Sequence, residues 1–554
     1  MIYPGYSACK RLAAPANVMA LAAVLAATLP CSAFASDKPN IAALPAPVPP
    51  NPYLAPSANP VAHRNSAQQD SSLVRGPEGP SREVAEDELD WFFTGPGHYG
   101  AFTGITTQDG RRIDWTSGRD AIIKYDGIGH KLLAAYPIGK GPFYTPQSAD
   151  AAIAAVFSAP PEARPMEALK LAAQIQRGLV GIYSLVDRDG NFVVGGAKGV
   201  TIYGNAEAGN PDSPIKVIRT WQAPPVAGDL VGINMTYDGW LVFVSEGGDV
   251  LVVSRDFTKY HSVRLRHAEN AEAYAEHVKK NSSPGYTWVR NNYPVDKDGG
   301  IYVVSAGYVH KVVWTGEKLS LDPKDGAWCE PYPDSSGNGT GATPALMGFG
   351  PNEDHLLTFT DGDRVMNVVA YWRDGIPKDW KQIPGSPSRR MAGMARADMG
   401  NPNATDVQTE QATIVSGYGA LVVNNAPATV PAGFPPVGKR VLVGLLGADP
   451  RFTPHGLQKF EWDPARRELK LAWTSKVASP NVVPFISAAS NMVYTMGVRD
   501  GQWTLEGINW STGESSFHRV LPGEKYNGFY SGLIQTDEGD IIFGTPFGRA
   551  RIRR

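Results

Sequence analysis

The sequence is poor in cysteine, low in charge and, after its first thirty residues, without a long apolar run. Only Cys9, Cys31 and Cys329 occur in 554 residues. Cys9 and Cys31 fall in a stretch read below as a removable leader, which leaves one thiol. A single thiol excludes an internal disulfide framework, a C-x-x-C metal site and a C-x-x-C-H haem attachment. Charged residues are 19% and the formal net charge is −2. Neither a nucleic-acid partner nor a polybasic membrane patch is expected from that balance. Past the leader no apolar run approaches the ~18 residues of a membrane span, so no transmembrane segment is expected. Neither a G-x-S-x-G elbow nor an H-E-x-x-H motif is present.

What is there begins with an address. Lys10 and Arg11 precede the apolar run Val18 to Leu29, and Ala33-Phe34-Ala35 gives a small–x–small site. This pattern predicts a Sec signal peptide over 1–35, cleaved after Ala35, and a periplasmic or secreted protein. Residues 36–88 read as a Pro-rich, disordered linker, because the stretch from Ala43 to Pro60 has little to bury.

Glycine (59) and proline (46) are abundant, and 13 tryptophans accompany them. That mixture favours short strands and tight turns over helical bundles. A hairpin recurs with Asp-Gly chemistry at its tip: Asp187 to Gly190, Asp238-Gly239, Asp296 to Gly299 and Glu538-Gly539. Each separates two β-branched or aromatic runs, and the glycine supplies the positive φ such turns need. The second run is nearly continuously apolar in each case, as in a strand buried on both faces. Units of roughly 50–60 residues with about four strands predict an all-β, single β-propeller over 89–554. Seven blades are expected, with eight the alternative. The seventh would be composite, Ala121–Tyr125 and Leu132–Tyr136 completing the last strands of the chain and closing the ring. A helical insertion is expected at about 148–178, and a third short helix at Ala271 to Lys280.

The later part of the chain resembles a known group. Gly339-Thr340-Gly341-Ala342-Thr343-Pro344, Thr360-Asp361 with Met366-Asn367-Val368-Val369, Thr409-Glu410-Gln411, Val423-Asn424-Asn425 and Leu505 to Ser516 carry the likeness. They resemble stretches of secreted, largely uncharacterised β-propellers of the quinoprotein alcohol dehydrogenase-like and gluconolactonase-like superfamilies. Gln411 and Val423 depart from that pattern, where Asn and Glu are usual. The resemblance implies a propeller and leaves the activity open. It also raises a pyrroloquinoline quinone cofactor, against which stands the lack of the vicinal cysteine pair common in those enzymes.

Asn291, Asn292, Asp361, Asp363, Glu410, Asn424 and Asn425 form an acidic and amide-rich set at strand starts. Such oxygens suit a hard cation such as Ca²⁺, with Asp361 and Asp363 as ligands. The alternative is ordinary turn chemistry. His98, in GPGHYG, and His455, in FTPHGL, stand in glycine–proline loops as possible general bases, or as loop histidines satisfied by backbone. His310 reads as structural, and the arginines from Arg549 to Arg554 as charges on a solvated terminal strand.

These readings give an exported propeller enzyme acting on a small organic substrate in the central channel, hydrolase or isomerase in type and cation-assisted. Glu410, His98 and His455 would be catalytic, and Asn292 and Asn425 would bind substrate. A quinoprotein-like dehydrogenase and a non-catalytic binding or assembly module stay open beside it.

Overall fold

The computed structural model describes residues 46–179, 181–280 and 286–554. The expected signal peptide lies outside the described residues, as does the start of the expected linker.

The Asp-Gly turns form as expected. Gly190, Gly239, Gly299 and Gly539 have φ of 79°, 92°, 86° and 95°, which a side chain would strain. The strands after the first three turns are buried, with Leu241, Val242, Phe243 and Val244 at 0% exposure. Repetition of this hairpin builds eight sheets, antiparallel except in the seventh, where Ser71–Ser72 and Arg82–Glu83 add parallel edges. In chain order their first strands are Ile113–Ser117, Ser184–Val186, Leu230–Met235, Gly300–Ser305, Ala345–Met347, Ile414–Ser416, Phe485–Ser487 and Ile534–Gln535.

Sheets with two apolar faces must be covered on both, and here each is covered by its neighbours. Eight apolar clusters join the sheets pairwise. Trp115 and Phe192 link the first to the second, and Leu185 and Phe243 the second to the third. Val252 and Val303 continue the chain of contacts, then Tyr302 and Phe359, then Val368 and Phe460. Leu421 and Val493 follow, then Tyr494 and Phe543. The last cluster, with Ile123 and Ile542, returns from the eighth sheet to the first. The order is cyclic, and the architecture is that of a β-propeller.

The closing sheet differs from expectation. Ile534–Gln535, Ile541–Gly544 and Gly548–Ile552 are completed by Leu89–Phe93, which pairs Leu89 with Ile552. Ala121–Asp126 and Lys131–Pro137 instead form a separate sheet with Ile113–Ser117. The terminal strand is not solvated either. Arg549 is fully buried and donates to the carbonyls of His98 and Gly100, while Arg551 pairs with Asp90.

A second difference concerns the expected linker. From residue 46 the chain is packed, not free. Leu54 and Val61 bridge Asp187 and Leu185 of the second sheet, and Asn51 Nδ2 donates to Met235 O of the third at 2.9 Å. Ser66 O accepts from Val295 N, beside the fourth sheet, at 2.7 Å. Ala67 O accepts from Leu346 N, Gln69 O from Val415 N and Asp70 O from Ile486 N, in the fifth, sixth and seventh sheets. Arg64 reaches Leu533 O beside the eighth, and Asn59 Nδ2 reaches Ala101 O beside the first. A segment that touches the leading edge of all eight sheets lies where those edges converge, on the ring axis. Inner strands carry unpaired backbone groups toward that axis, and the segment pairs them. The proline-rich composition cannot bury itself, but the ring buries it.

Helices α1 (Pro146–Phe157) and α2 (Arg164–Gln176) occupy the expected insertion, and α3 (Ala271–Lys280) falls where expected. Thr145 caps α1 by accepting from Ser148 N. A short helix, α4 (Lys439–Gly444), sits in the long connection inside the sixth sheet. Helices α1, α2 and α4 share one apolar cluster with Tyr99, Phe452, Phe529 and Phe547. No helix among the described residues is long and apolar enough to cross a membrane.

Candidate functional site

The segment preceding each inner strand reaches the same end of the ring. There a cavity of about 270 Å³ lies against the axial segment. Its wall takes Asn59, Ala62, His63 and Asp70 from that segment, and Tyr99 to Phe102 from the approach to the first sheet. Ile182 and Tyr183, Arg290 and Asn291, Gly341 and Thr343, Glu410 to Ala412, Val483, Tyr530, Gly532 and Ile534 complete it. Ile182 is 47% exposed and Asn59 fully buried, so the cavity runs from solvent to a closed floor.

The axial wall is locally strained. His63, Arg64, Gln68 and Asp70 have φ of 59°, 73°, 59° and 50°, a region that costs on the order of 1–3 kcal/mol for each non-glycine residue. The strain is held by turns of the segment on itself, among them Gln68 N to Asn65 O at 2.9 Å and Asp70 N to His63 O at 3.2 Å. The product is a pair seven residues apart in sequence: His63 Nδ1 lies 2.7 Å from Asp70 Oδ2. With the carboxylate accepting the Nδ1 proton, Nε2 is the basic nitrogen. His63 Nε2 and Asn59 Oδ1 are buried and have no hydrogen-bond partner among the described residues. Tyr183 stands beside the imidazole, ring centroids 6.0 Å apart.

Toward the mouth, Glu410 is bound by two arginines. Arg440 Nη2 donates to Oε1 at 2.5 Å and Arg290 Nε to Oε2 at 3.4 Å. Burial pushes this carboxyl up, but Arg440 and Arg290 outweigh it and hold it below the ordinary glutamate value. Arg440 also donates to Tyr286 Oη from Nε at 2.9 Å and from Nη2 at 2.8 Å. The Arg290 guanidinium lies 4.3 Å from the centroid of the Tyr286 ring. Gly341, in the motif from Gly339 to Pro344, abuts the Glu410 carboxylate so closely that a Cβ would fall 2.0 Å from its carbon. That glycine is the price of bringing the carboxylate to the axis.

Of the residues singled out in the sequence, Glu410 and Asn291 line the cavity. Asn292 and Asn425 stand behind the wall. Asn292 donates to Gln68 Oε1 at 2.7 Å and accepts from Ile233 N at 3.0 Å, tying the axial segment to the third sheet. Asn425 accepts from Thr409 Oγ1 and Glu410 N, fixing the Glu410 loop. Neither lines this cavity, and Asn425 instead lines a second one with Tyr286, Asp406, Gln408 and Arg440.

Asp361 and Asp363 lie a strand farther out, in the hairpin after Leu356–Thr360. Asp361 accepts from Asn367 N at 2.8 Å and Asp363 N at 3.2 Å through one oxygen, and from Asn367 Nδ2 at 2.6 Å through the other. Asp363 accepts from Ser335 N. Their oxygens order a turn and do not face the cavity. Among the described residues no three His, Cys, Asp or Glu side chains converge in a group that could hold a metal ion.

The two expected histidines also stand apart from the cavity wall. His98 is fully buried, 3.3 Å from Thr116 Oγ1, and burial together with Arg549 presses it down to about 3. It is a neutral packing ring, not a base in reach of solvent. His455 is exposed, its carbonyl accepting from Asn424. His310 is buried against Ser305 Oγ at 2.9 Å, as its strand position implied.

Sequence reasoning missed His63, Asp70, Arg290, Arg440 and Tyr286. The first two sat in the stretch read as linker. The only available signal was polar density, HRNSAQQD, beside a proline run. The arginines lie 120 and 30 residues from Glu410, beyond any local pattern.

No family model matches the chain. Among solved structures it is similar to the quinohemoprotein alcohol dehydrogenase ADH-IIG of Pseudomonas putida, with TM-score 0.49 and 11% identity over 89% of this chain and 80% of that one. It is also similar to BamB from Moraxella catarrhalis, with TM-score 0.35 and 9% identity over 65% and 95%. A streptogramin B lyase matches at TM-score 0.34 and 10% identity over 84% and 96%. In sequence it is 33% identical over 385 residues to an uncharacterised protein of Archaeoglobus fulgidus, a match that spans 68% of this chain and 70% of the relative. The chain therefore belongs to the family of that archaeal protein.

Proposed function

We propose that this is an exported, eight-bladed propeller enzyme that performs acid–base chemistry on a small organic substrate in the axial cavity, hydrolase or isomerase in type. One observation carries the reading: the His63–Asp70 pair on the cavity wall, with Nε2 unpartnered. An imidazole oriented by a carboxylate is a general base near neutral pH. His63 Nε2 takes a proton from the substrate or from a water beside it. Asp70 stabilises the imidazolium, which returns the proton to the product. Strained backbone at His63 and Asp70 fits a segment selected for placement of side chains rather than for stability. Glu410 with Arg290 and Arg440 forms the charged rim that orients the substrate. The reading needs no cation or quinone, and no step is assigned to either.

The test is incubation of the full chain in D₂O with a panel of small esters, lactones and hydroxy acids, followed by NMR. Hydrolysis, or exchange of a carbon-bound hydrogen for deuterium, is expected for at least one member and lost in His63→Gln. Turnover of none, or turnover unchanged in His63→Gln, overturns the proposal.

A further inference from the structure

One polar side chain of the cavity wall is held firmly and bonded to nothing. Gln411 is buried, 3% exposed, on the loop before Ile414–Ser416, and it lines the cavity. Its backbone is fixed. Gln411 N donates to Thr409 Oγ1 at 3.0 Å, and Thr409 Oγ1 donates to Asn425 Oδ1 at 2.8 Å. Its side-chain amide makes no hydrogen bond to any described residue, and neither Oε1 nor Nε2 is sealed behind other atoms. The other two amides of the wall are engaged, Asn59 Nδ2 with Ala101 O at 2.5 Å and Asn291 Nδ2 with Thr340 O at 3.0 Å. Among these three amides, Gln411 alone keeps both a donor and an acceptor for a ligand.

The charges around the cavity are answered within the protein. Asp70 faces His63 and lies near Arg64. Glu410 faces Arg290 and Arg440, and Asp334 adds a second carboxylate beside Arg290. Arg290 Nη1 further donates to Asn338 O at 2.7 Å and to Tyr274 Oη at 3.3 Å. No charged group on the wall asks for a counter-ion, so a neutral ligand suits it better than an anion or a cation. Much of the remaining wall is apolar, with Phe102, Ile182, Val483 and Ile534. The volume, about 270 Å³, falls at the small end of ligand pockets.

Building on the reading above of a small organic substrate in this cavity, we infer that Gln411 is its recognition residue and that the ligand class is a small, neutral carboxamide or lactam with an apolar body. The ligand N–H donates to Gln411 Oε1 while its carbonyl accepts from Gln411 Nε2, two parallel bonds between planar amides. An ester or ketone makes only the second of these bonds. A carboxylate offers no donor and brings a charge, and a protonated amine offers no acceptor.

δ-Valerolactam is a suitable probe, because its ring holds donor and acceptor side by side and each can be removed. Titration of the full chain with δ-valerolactam, followed by ligand-observed NMR, is compared with N-methyl-δ-valerolactam, which lacks the donor, piperidine, which lacks the acceptor and is charged, and pentanoate. The lactam is expected to bind about tenfold more tightly than each, the weight of one hydrogen bond at the upper end of its usual range. Gln411→Met keeps the length and apolar stem and removes both polar groups. It should bring the lactam and its N-methyl form to within about threefold of each other, with melting temperature unchanged because the amide has no protein partner to lose. Absence of lactam binding, binding of piperidine or pentanoate as tight as the lactam, or a lactam preference that survives Gln411→Met overturns the inference. His63-dependent turnover of another substrate with no lactam binding defeats this inference alone. Gln411-dependent lactam binding with turnover indifferent to His63→Gln defeats the catalytic reading alone.

Discussion

Two sets of acidic side chains lie at the same end of the ring, and only one serves the cavity. Asp361 and Asp363 sit in a hairpin, where backbone and Asn367 donors saturate them. Burial lifts Asp361 to about 7, and the Asn367 donors offset only part of that. Asp70, on the axial segment, faces one imidazole whose far nitrogen is buried with no partner among the described residues. The difference lies in the backbone. A hairpin turn closes its carboxylates onto its own N–H groups, whereas the axial segment pairs its backbone outward to the sheets and turns Asp70 onto the His63 imidazole.

The sharpest way to break this comparison is substitution on each side of it. His63→Gln should lower turnover on the order of 10³-fold, within the usual range for removing a general base, with melting temperature nearly unchanged. Asp361→Asn should leave turnover within about threefold, because Asn keeps an acceptor in the turn. Equal losses in the two variants, read as kcat/KM, would dissolve the distinction.

Next in size is the rim. Glu410→Gln leaves Arg290 and Arg440 facing each other without their carboxylate, and should destabilise the fold by about 3 kcal/mol. Asp363→Asn, on the hairpin, should cost less than about 1 kcal/mol. Denaturant unfolding of both variants measures the gap.

A third effect depends on pH. Burial lowers His98, His130 and His310 to about 3 from an ordinary 6.5. Between those values the unfolded chain binds more protons than the folded one, so stability rises with pH there and is complete above about 6.5. At pH 5 each of the three should cost roughly 2 kcal/mol. Calorimetry from pH 7.5 to 5 should show a steep fall in melting temperature, and a flat profile would contradict the assignment of these rings as neutral packing groups.

The smallest effect concerns anchoring. Asn292→Ala removes the donor to Gln68 and the acceptor for Ile233 N, and should loosen the axial segment by about 1–2 kcal/mol without touching the hairpin.

Much of the ring was legible because its signals are local. Asp238-Gly239 and Asp296 to Gly299 dictate turns within a few residues, and the runs after them declare burial on both faces. The helical insertion and Ala271–Lys280 were legible for the same reason. The axial segment was not, since its partners are spread from Ala101 to Asp537 and its own composition resembles that of free chain. The closing strand failed similarly: Leu89–Phe93 and Ala121–Asp126 are both plausible strands, and only packing across the ring decides which completes the last sheet. Glu410 was found through its loop, but the arginines that define its charge were not, because opposite charges far apart in sequence carry no spacing rule.

The central claim is that residues 51–72 fill the axis of the ring and present His63 and Asp70 to its cavity. Hydrogen exchange of the full chain, read by mass spectrometry over peptides covering those residues, tests it most directly. Protection comparable to that of Leu241–Val244 is the predicted result. Exchange at the rate of an unstructured chain would contradict it.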